Sequence, residues 1–113
     1  MHRKDDIMNF NTFNRLVEDQ FKVCKEILAK KGKEYAPDAG DRLSAFKTAA
    51  GLMGKTPIQA LGGQMSKHTI SLYEMIENNS TDLALWQEKI IDSTNYLFLL
   101  HALILETHSE AHK

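Results

Sequence analysis

The sequence predicts an all-α protein, a four-helix bundle-like domain that we expect to assemble as a homo-oligomer. Three observations predict this class: apolar residues recur at helical spacing in four segments, Gly, Pro and Asn separate these segments, and no segment alternates like a strand. A chain of 113 residues is long enough for one hydrophobic core. We therefore divide it into an N-terminal tail (1–9), a single all-helical domain (10–108) and a C-terminal tail (109–113).

The amino-acid composition argues against several classes of function and location. With 14 basic and 15 acidic residues the formal net charge is -1, which argues against general nucleic-acid binding through a cationic surface. The only cysteine, Cys24, leaves no partner for an intramolecular disulfide and fits a reducing compartment. The charged N-terminus predicts no signal peptide, and the most apolar run, 96–105, is about half as long as a membrane helix. We expect a cytoplasmic protein without a membrane partner.

The first helix is predicted to begin at Asn9 or Asn11, which are both good N-cap residues. Its apolar face should carry Cys24 as a small buried hydrophobe rather than as a nucleophile. We expect this helix to end at about Lys31, because Gly32 can adopt the left-handed conformation that terminates helices. The apolar residues that define it are Phe13, Leu16, Val17, Phe21, Cys24, Ile27 and Leu28.

The segment from Lys31 to Phe46 is predicted to hold the candidate site. Pro37 disfavours helical geometry at Ala36, so Tyr35 and Ala36 should run extended. Asp41 is placed to cap the next helix by accepting amide hydrogens of its first turn. The segment presents cations, a carboxylate and an aromatic ring as a cradle for an anionic, partly aromatic ligand, from Lys33, Glu34, Tyr35 and Arg42. The alternative is a solvated, charged loop.

Two helices follow this loop. A short one should bury a stripe formed by Leu43, Phe46, Ala50 and Met53, and it should end at Gly54. The next should begin at Thr56-Pro57-Ile58-Gln59, where Thr56 caps, Pro57 takes the first helical position and Gln59 completes a capping box. We expect it to run to about Asn78. Gly62 and Gly63 lie inside it, and such a pair usually admits a close backbone or a ligand.

His68 and Lys67 point in different directions on this third helix. His68 shares an apolar arc with Ile58, Leu61, Met65, Leu72, Met75 and Ile76. An inward histidine is either a hydrogen-bonded core residue or part of a site. Lys67 points outward, so it is either solvated or turned toward a partner subunit.

The last helix is predicted to be capped by Ser80 or Thr81 and to run to about Thr107. Residues 96–105 are apolar nearly all round, and a helix that is apolar all round needs neighbours on every side. Four helices can hardly supply them, so we expect the oligomer. Glu88, Asp92 and Asn95 form one stripe that enters this interior, where carboxylates are costly and tend to be functional.

Several motifs stand in order along the chain: Lys33-Glu34-Tyr35, Asp41-Arg42-Leu43 with Phe46, Lys67-His68, and Glu88-Lys89-Ile90-Ile91-Asp92 with Asn95-Tyr96-Leu97. Over residues 10–105 this pattern resembles small uncharacterised helical proteins of bacteriophages and prophages. It is also similar to the nucleotide-modification-associated domain and, more distantly, to the MazG-like all-α nucleoside triphosphate pyrophosphohydrolases. A phage origin would imply the host cytoplasm as the location.

The resemblance to the pyrophosphohydrolases implies a magnesium site. Those enzymes hold the ion with Glu-x-x-Glu on one helix and Glu-x-x-Asp on the next. Glu74 and Glu77 supply the first pair here, although both fall on the polar side of their helix. Glu88 and Asp92 approximate the second pair with one extra residue, which turns a ligand by about 100° around the helix.

Three functions follow as expectations. The first is binding of a phosphorylated, nucleotide-like small molecule without a cofactor, and its sharp form is a phage anti-defence sponge for a nucleotide signal of host immunity. The second is magnesium-dependent hydrolysis of nucleotides, with Glu88 and Asp92 as metal ligands. The third is modulation of a host protein. For the first function, we expect Lys33, Arg42 and Lys67 to meet phosphate, Tyr35 or Tyr96 to stack on the base, and Asp41, His68, Asp92 and Asn95 to complete the site.

Overall fold

The computed structural model describes residues 7–35 and 40–111, and within these ranges the chain forms four helices and no strand. They are α1 (Phe10–Tyr35), α2 (Ser44–Met53), α3 (Pro57–Glu77) and α4 (Leu83–Ala111). The predicted all-α, four-helix class is therefore confirmed. In the same ranges, none of these helices combines the length and apolar character needed to cross a membrane.

The start of α1 agrees with the sequence, but its end does not. Asn9 Oδ1 accepts a hydrogen bond from the Thr12 amide at 2.9 Å, so Asn9 is the N-cap. The prediction that Gly32 stops the helix is wrong, because α1 continues through Gly32 to Tyr35. Tyr35 is therefore helical rather than extended. The conformation predicted for Ala36 falls outside the described residues.

The turn before α2 is organised by Asp41, but not as a cap of the first helical turn. Asp41 Oδ1 accepts the amide hydrogen of Leu43 at 2.9 Å. Leu43 is itself the N-cap residue of α2, and it makes no side-chain cap. The predicted cap is thus displaced, since the carboxylate stabilises the turn that precedes the helix. At the other end of α2, Gly54 adopts the left-handed conformation with φ 64°, as predicted.

Lys47 ties this turn to the far end of the chain. Its ammonium group donates to the Asp41 carboxylate and to the Glu106 carboxylate on α4. The hydrogen bond from Lys47 and then that from the Leu43 amide lower the pKa of Asp41 below its usual value. The hydrogen bonds to Asp41 and Glu106 raise the pKa of Lys47. Asp41 therefore has a structural task, which is to hold the turn that contains Arg42.

The capping box of α3 is present as predicted. Thr56 Oγ1 accepts from the Gln59 amide, and Gln59 Oε1 accepts from the Thr56 amide. The helix ends at Glu77, next to the predicted limit. A β-carbon on Gly62 or Gly63 would meet no atom within 4 Å, so neither glycine admits a close neighbour from the described chain.

The prediction for the start of α4 is wrong by one or two residues. Asp82 is the cap, because its Oδ1 accepts the Leu85 amide hydrogen at 3.0 Å. Ser80 instead accepts the Trp86 indole hydrogen with its backbone carbonyl at 2.8 Å. The helix passes Thr107 and ends at Ala111, so it extends into the segment expected to be a tail.

The core lies where α2, α3 and α4 meet, and α1 packs on α4. Its buried residues are Leu43, Phe46, Leu61 and Leu103, with Ile58, Met65, Tyr96, Leu99 and Leu100 packed against them. Cys24 is 1% exposed and burial raises its thiol pKa, so its prediction as a buried hydrophobe is confirmed. Met53 and Ile76 were predicted to be buried but are exposed. Met53 is the last residue of α2, just before the chain turns away at Gly54.

Candidate ligand-binding site

A pocket of about 240 Å³ opens where the four helices and the turn before α2 converge. Every helix contributes to it, which makes it a product of the whole bundle. Its lining residues are Leu28 and Lys31 from α1, Arg42 from the turn, Ala45 and Phe46 from α2, Gln64 from α3, and Asp92, Asn95, Tyr96 and Leu99 from α4. Four of the predicted site residues, Arg42, Asp92, Asn95 and Tyr96, are thereby brought together.

Arg42 reaches the pocket by crossing the surface of α1. Its Nη2 atom donates to the Leu28 carbonyl oxygen at 3.4 Å. A β-carbon built on Gly32 would lie 2.9 Å from Arg42 Nε and 3.2 Å from Cδ, so the missing side chain of Gly32 makes this path available. Among the residues that the structure describes, no carboxylate pairs with Arg42. The half-buried guanidinium group therefore keeps donors for an anionic ligand.

Lys31 is the second cation of the pocket, in place of the predicted Lys33. The prediction of Lys33 followed from the expectation that α1 ends at Lys31. Because the helix continues, residues two positions apart point about 200° away from each other. Lys31 consequently lines the pocket next to Arg42, whereas Lys33 is exposed and does not line it.

Asn95 carries the strongest sign of an unfilled interaction. Its side chain is 6% exposed and lies at the pocket wall. Its Oδ1 atom is buried and accepts no hydrogen bond from any described residue. Buried polar atoms nearly always have a partner, and leaving one without costs about 1–3 kcal/mol. An acceptor in this position is suited to a ligand donor.

Asp92, His68 and Tyr96 form a cluster beside the pocket. The rings of His68 and Tyr96 lie 4.9 Å apart between centroids at an interplanar angle of 38°. His68 Nδ1 lies 3.8 Å from Asp92 Oδ2, which is too long for a hydrogen bond. That nitrogen is buried and has no hydrogen-bond partner in the described part of the chain. His68 does not line the pocket, but it packs behind two residues that do.

The remaining predicted site residues lie elsewhere. Lys67 and Glu88 are exposed and do not line the pocket, and Asp41 is paired with Lys47 outside it. The side chain of Tyr35 lies outside the described residues. Glu74 and Glu77 are exposed. Across 7–35 and 40–111, no three His, Cys, Asp or Glu side chains come together as a metal-binding group, so the two predicted carboxylate pairs do not meet.

Gln64 and the apolar walls of the pocket were not among the predicted site residues. A signal for Gln64 was present, because it follows the buried Leu61 by three residues and precedes His68 by four, which places all three on one face of α3. Leu28, Ala45 and Leu99 carry no comparable signal, because apolar residues of a helix face line a core and a pocket alike.

The pocket combines three kinds of recognition. Lys31 and Arg42 supply positive charge, and Asp92, Asn95 and Gln64 supply a carboxylate and two amides. Tyr96 and Phe46 supply aromatic surface, although one face of Tyr96 is already occupied by His68. This arrangement suits a ligand that has an anionic end and a planar, hydrogen-bonding end.

Comparisons of the chain with models of protein families, with curated proteins and with solved structures found no match.

Proposed function

We propose that the pocket binds a phosphorylated, nucleotide-like small molecule. The observation that carries this proposal is that one pocket is lined both by Arg42, which pairs with no described carboxylate, and by Asn95, whose buried Oδ1 accepts no hydrogen bond from a described residue. Arg42 and Lys31 bind the phosphate, and arginine can do so with two parallel hydrogen bonds. Asn95 Oδ1 accepts a hydrogen from an amino or imino group of the base. Asp92 and Gln64 bind the sugar or the remaining base edge, and Tyr96 lies against the base.

The pocket volume sets the size of the ligand. At about 240 Å³ it falls below the roughly 300–1,000 Å³ of typical small-molecule sites. One nucleoside monophosphate is therefore the unit that we assign to it, with any further phosphate projecting into solvent. A ligand of two linked nucleotides exceeds a single pocket.

In a phage, the biological role that we propose is sequestration of a nucleotide signal of host immunity. The one-residue insertion between Glu88 and Asp92, relative to the Glu-x-x-Asp pattern of the pyrophosphohydrolases, supports binding without turnover. The close approach of His68 to Asp92 supports the second candidate, hydrolysis, because a histidine beside a carboxylate is a suitable general base.

The experiment is a calorimetric titration of the purified protein with each common nucleoside monophosphate. Free nucleosides and inorganic phosphate are the matched controls, because the first carry only the base and sugar and the second carries only the phosphate. We expect at least one nucleotide to bind more tightly than both of its parts. It should be recovered unaltered after incubation with the protein and Mg²⁺. No binding up to millimolar nucleotide would refute the proposal, and conversion of the nucleotide would put the enzyme first.

The proposed binding unit is a homo-oligomer, most simply a dimer in which the last two helices, α3 and α4, pair with their copies. The apolar side chains that remain exposed on α4 support it, among them Leu97, Phe98 and Leu105. Light scattering at micromolar concentration tests it. A monodisperse particle of 12.8 kDa would contradict the oligomer and leave the ligand proposal untouched.

A further inference from the structure

The outer side of α4 carries an apolar stripe with a regular period. Four aliphatic residues recur every seven positions, Leu83, Ile90, Leu97 and Ile104, and they are 80%, 41%, 57% and 38% exposed. Seven residues are nearly two helical turns, so the four side chains stay on one face and drift by only about 20° per repeat. Leu105 widens the stripe and is also exposed. Phe98, beside it, already packs against Phe21 of α1, with ring centroids 6.4 Å apart. We call the five aliphatic residues the outer stripe.

The outer stripe and the pocket lie on different sides of α4. Residues that line the pocket from this helix are Asp92, Asn95, Tyr96 and Leu99. At about 100° per residue, Asp92, Asn95 and Leu99 lie roughly 140–160° around the helix from Leu97, and Tyr96 lies about 100° from it. The buried core residue Leu103 lies about 120° away from Leu97 by the same measure. The chain therefore covers the core and pocket side of α4, and α1 covers the adjoining side through the Phe21–Phe98 and Gln20–Gln87 contacts, whereas the outer stripe faces water.

The exposed surface of the chain is large enough to include an interface with a second copy. The chain exposes 8843 Å², whereas a folded monomer of 12.8 kDa exposes about 6,300 Å². The excess of roughly 2,500 Å² exceeds the part that one chain contributes to a standard interface, about 800 Å². The shape agrees, since the radius of gyration is 17.2 Å where about 13 Å is usual for this length.

Two copies of the outer stripe can pack against each other. Charged residues of α4 lie at other positions around the helix, including Glu88, Lys89, Asp92 and Glu106. Thr94 and His101 lie between the aliphatic residues of the repeat, and neither carries a permanent charge. Gln87, at the equivalent position one repeat earlier, donates a hydrogen bond to Gln20 of α1 at 3.2 Å. Two copies can therefore meet across a two-fold axis without like charges facing each other, and a repeating aliphatic row interdigitates with an identical row.

We infer that two copies of this chain pack α4 against α4 through the outer stripe, around a two-fold axis that passes beside Leu97. This inference rests on the homo-oligomer proposed above and gives it an interface. Each pocket then lies within one chain and opens away from the interface. The dimer consequently holds two separate sites, and a monomeric variant keeps its site.

The first test uses cysteine cross-linking. In Leu97→Cys, two copies of the new thiol meet at the axis, so mild oxidation should convert the protein to a disulfide-linked dimer. Glu88→Cys is the matched control, because it is exposed on the opposite side of the same helix and should remain monomeric under denaturing electrophoresis. The wild type is the negative control and should not cross-link, since its only cysteine, Cys24, is 1% exposed. Equal cross-linking of both variants would overturn the inference.

The second test uses Leu97→Glu, which places two like charges at the axis. Light scattering should then give 12.8 kDa in place of twice that mass, with unchanged helical circular dichroism and unchanged nucleotide affinity. A dimer that survives this change would overturn the assigned interface while leaving the oligomer itself in place. A wild-type monomer, or a wild type that pairs only with a host protein, would overturn both. If Leu97→Glu does not fold, the cross-linking result decides.

Discussion

Arg42 passes directly over Gly32, so that a β-carbon at Gly32 would lie 2.9 Å from Arg42 Nε. The two residues belong to different segments, the last turns of α1 and the turn before α2. Glycine inside a helix costs about 1 kcal/mol relative to alanine. This glycine makes room for the only half-buried cation that lines the pocket from the described residues. A residue that destabilises α1 therefore makes room for a side chain of the candidate binding site.

Replacing Gly32 by alanine should therefore separate stability from binding. Alanine favours α1 by up to about 1 kcal/mol, but its methyl group displaces the flexible Arg42 side chain from the pocket. We expect a melting temperature that is equal or higher and a nucleotide affinity that is roughly tenfold or more lower, because charge-assisted hydrogen bonds contribute about 1.5–3 kcal/mol. Gly51→Ala is the control, since a β-carbon there meets no atom within 4 Å. It should leave the affinity unchanged. Loss of affinity in both variants would contradict this account.

Arg42→Ala should abolish nucleotide binding and leave the helix content intact. Within residues 7–35 and 40–111 the guanidinium group makes one long hydrogen bond, to the Leu28 carbonyl, so the described fold depends little on it. Arg42→Lys should recover only part of the affinity, because an ammonium group cannot make the two parallel hydrogen bonds. Lys33→Ala and Lys67→Ala serve as controls, because both lysines are exposed and do not line the pocket. Calorimetry with the best nucleotide decides, and unchanged affinity in Arg42→Ala would show that the arginine is only structural.

Asn95→Leu should make the protein more stable and unable to bind. Asn95 Oδ1 is buried and accepts no hydrogen bond from a described residue, which costs about 1–3 kcal/mol of stability. Leucine has no such oxygen, so the substitution removes this cost. Ser93→Ala is matched to it, since Ser93 Oγ is also buried without a hydrogen-bond partner in the described ranges but does not line the pocket. Both variants should melt at a higher temperature, and only Asn95→Leu should lose affinity. A destabilised Asn95→Leu would mean that the amide supports the fold.

Asp92→Asn distinguishes three roles for this carboxylate, because it keeps the shape and removes the charge. We expect weaker nucleotide binding with or without Mg²⁺, as for a hydrogen-bond acceptor of the base or sugar. If Asp92 held magnesium for hydrolysis, turnover would vanish while binding remained measurable. If Asp92 only pairs with His68, whose Nδ1 lies 3.8 Å from Asp92 Oδ2, the variant should be less stable, and its nucleotide affinity should fall only because less of the protein is folded. Magnesium-dependent turnover in the wild type that is absent from Asp92→Asn would place the enzyme first.

The contact between Lys47 and Asp41 makes the stability of the protein sensitive to acid. The Asp41 pKa is lowered in the folded state, so its contribution to stability is present above its usual value of 3.8. It is lost as the pH falls through the lower, folded pKa. We expect Lys47→Met to flatten the dependence of the melting temperature on pH below about pH 4. It should also weaken nucleotide binding at neutral pH, since the turn that holds Arg42 is released. If the melting temperature of Lys47→Met falls with pH below about pH 4 as steeply as that of the wild type, the ionisation of Asp41 does not contribute to stability.

Local signals predicted the four helices and about half of their ends correctly. The Asn9 cap, the capping box at Thr56 and the left-handed Gly54 each depend on residues within a few positions of one another. The cap of α4 was misjudged, because Ser80, Thr81 and Asp82 are all good N-caps in a row and only the chain path selects Asp82.

By itself, the sequence determined four helical segments, their approximate limits and the inward direction of Cys24, His68 and Asn95. Periodicity gives the angle of a side chain around its own helix. The tertiary structure decided that α1 runs past Gly32, that Lys31 rather than Lys33 faces the pocket, and that Gln64 meets Arg42 and Asn95 in one cavity. The physical reason is that which helix a given face meets depends on the packing of all four helices together, and no local pattern contains that information.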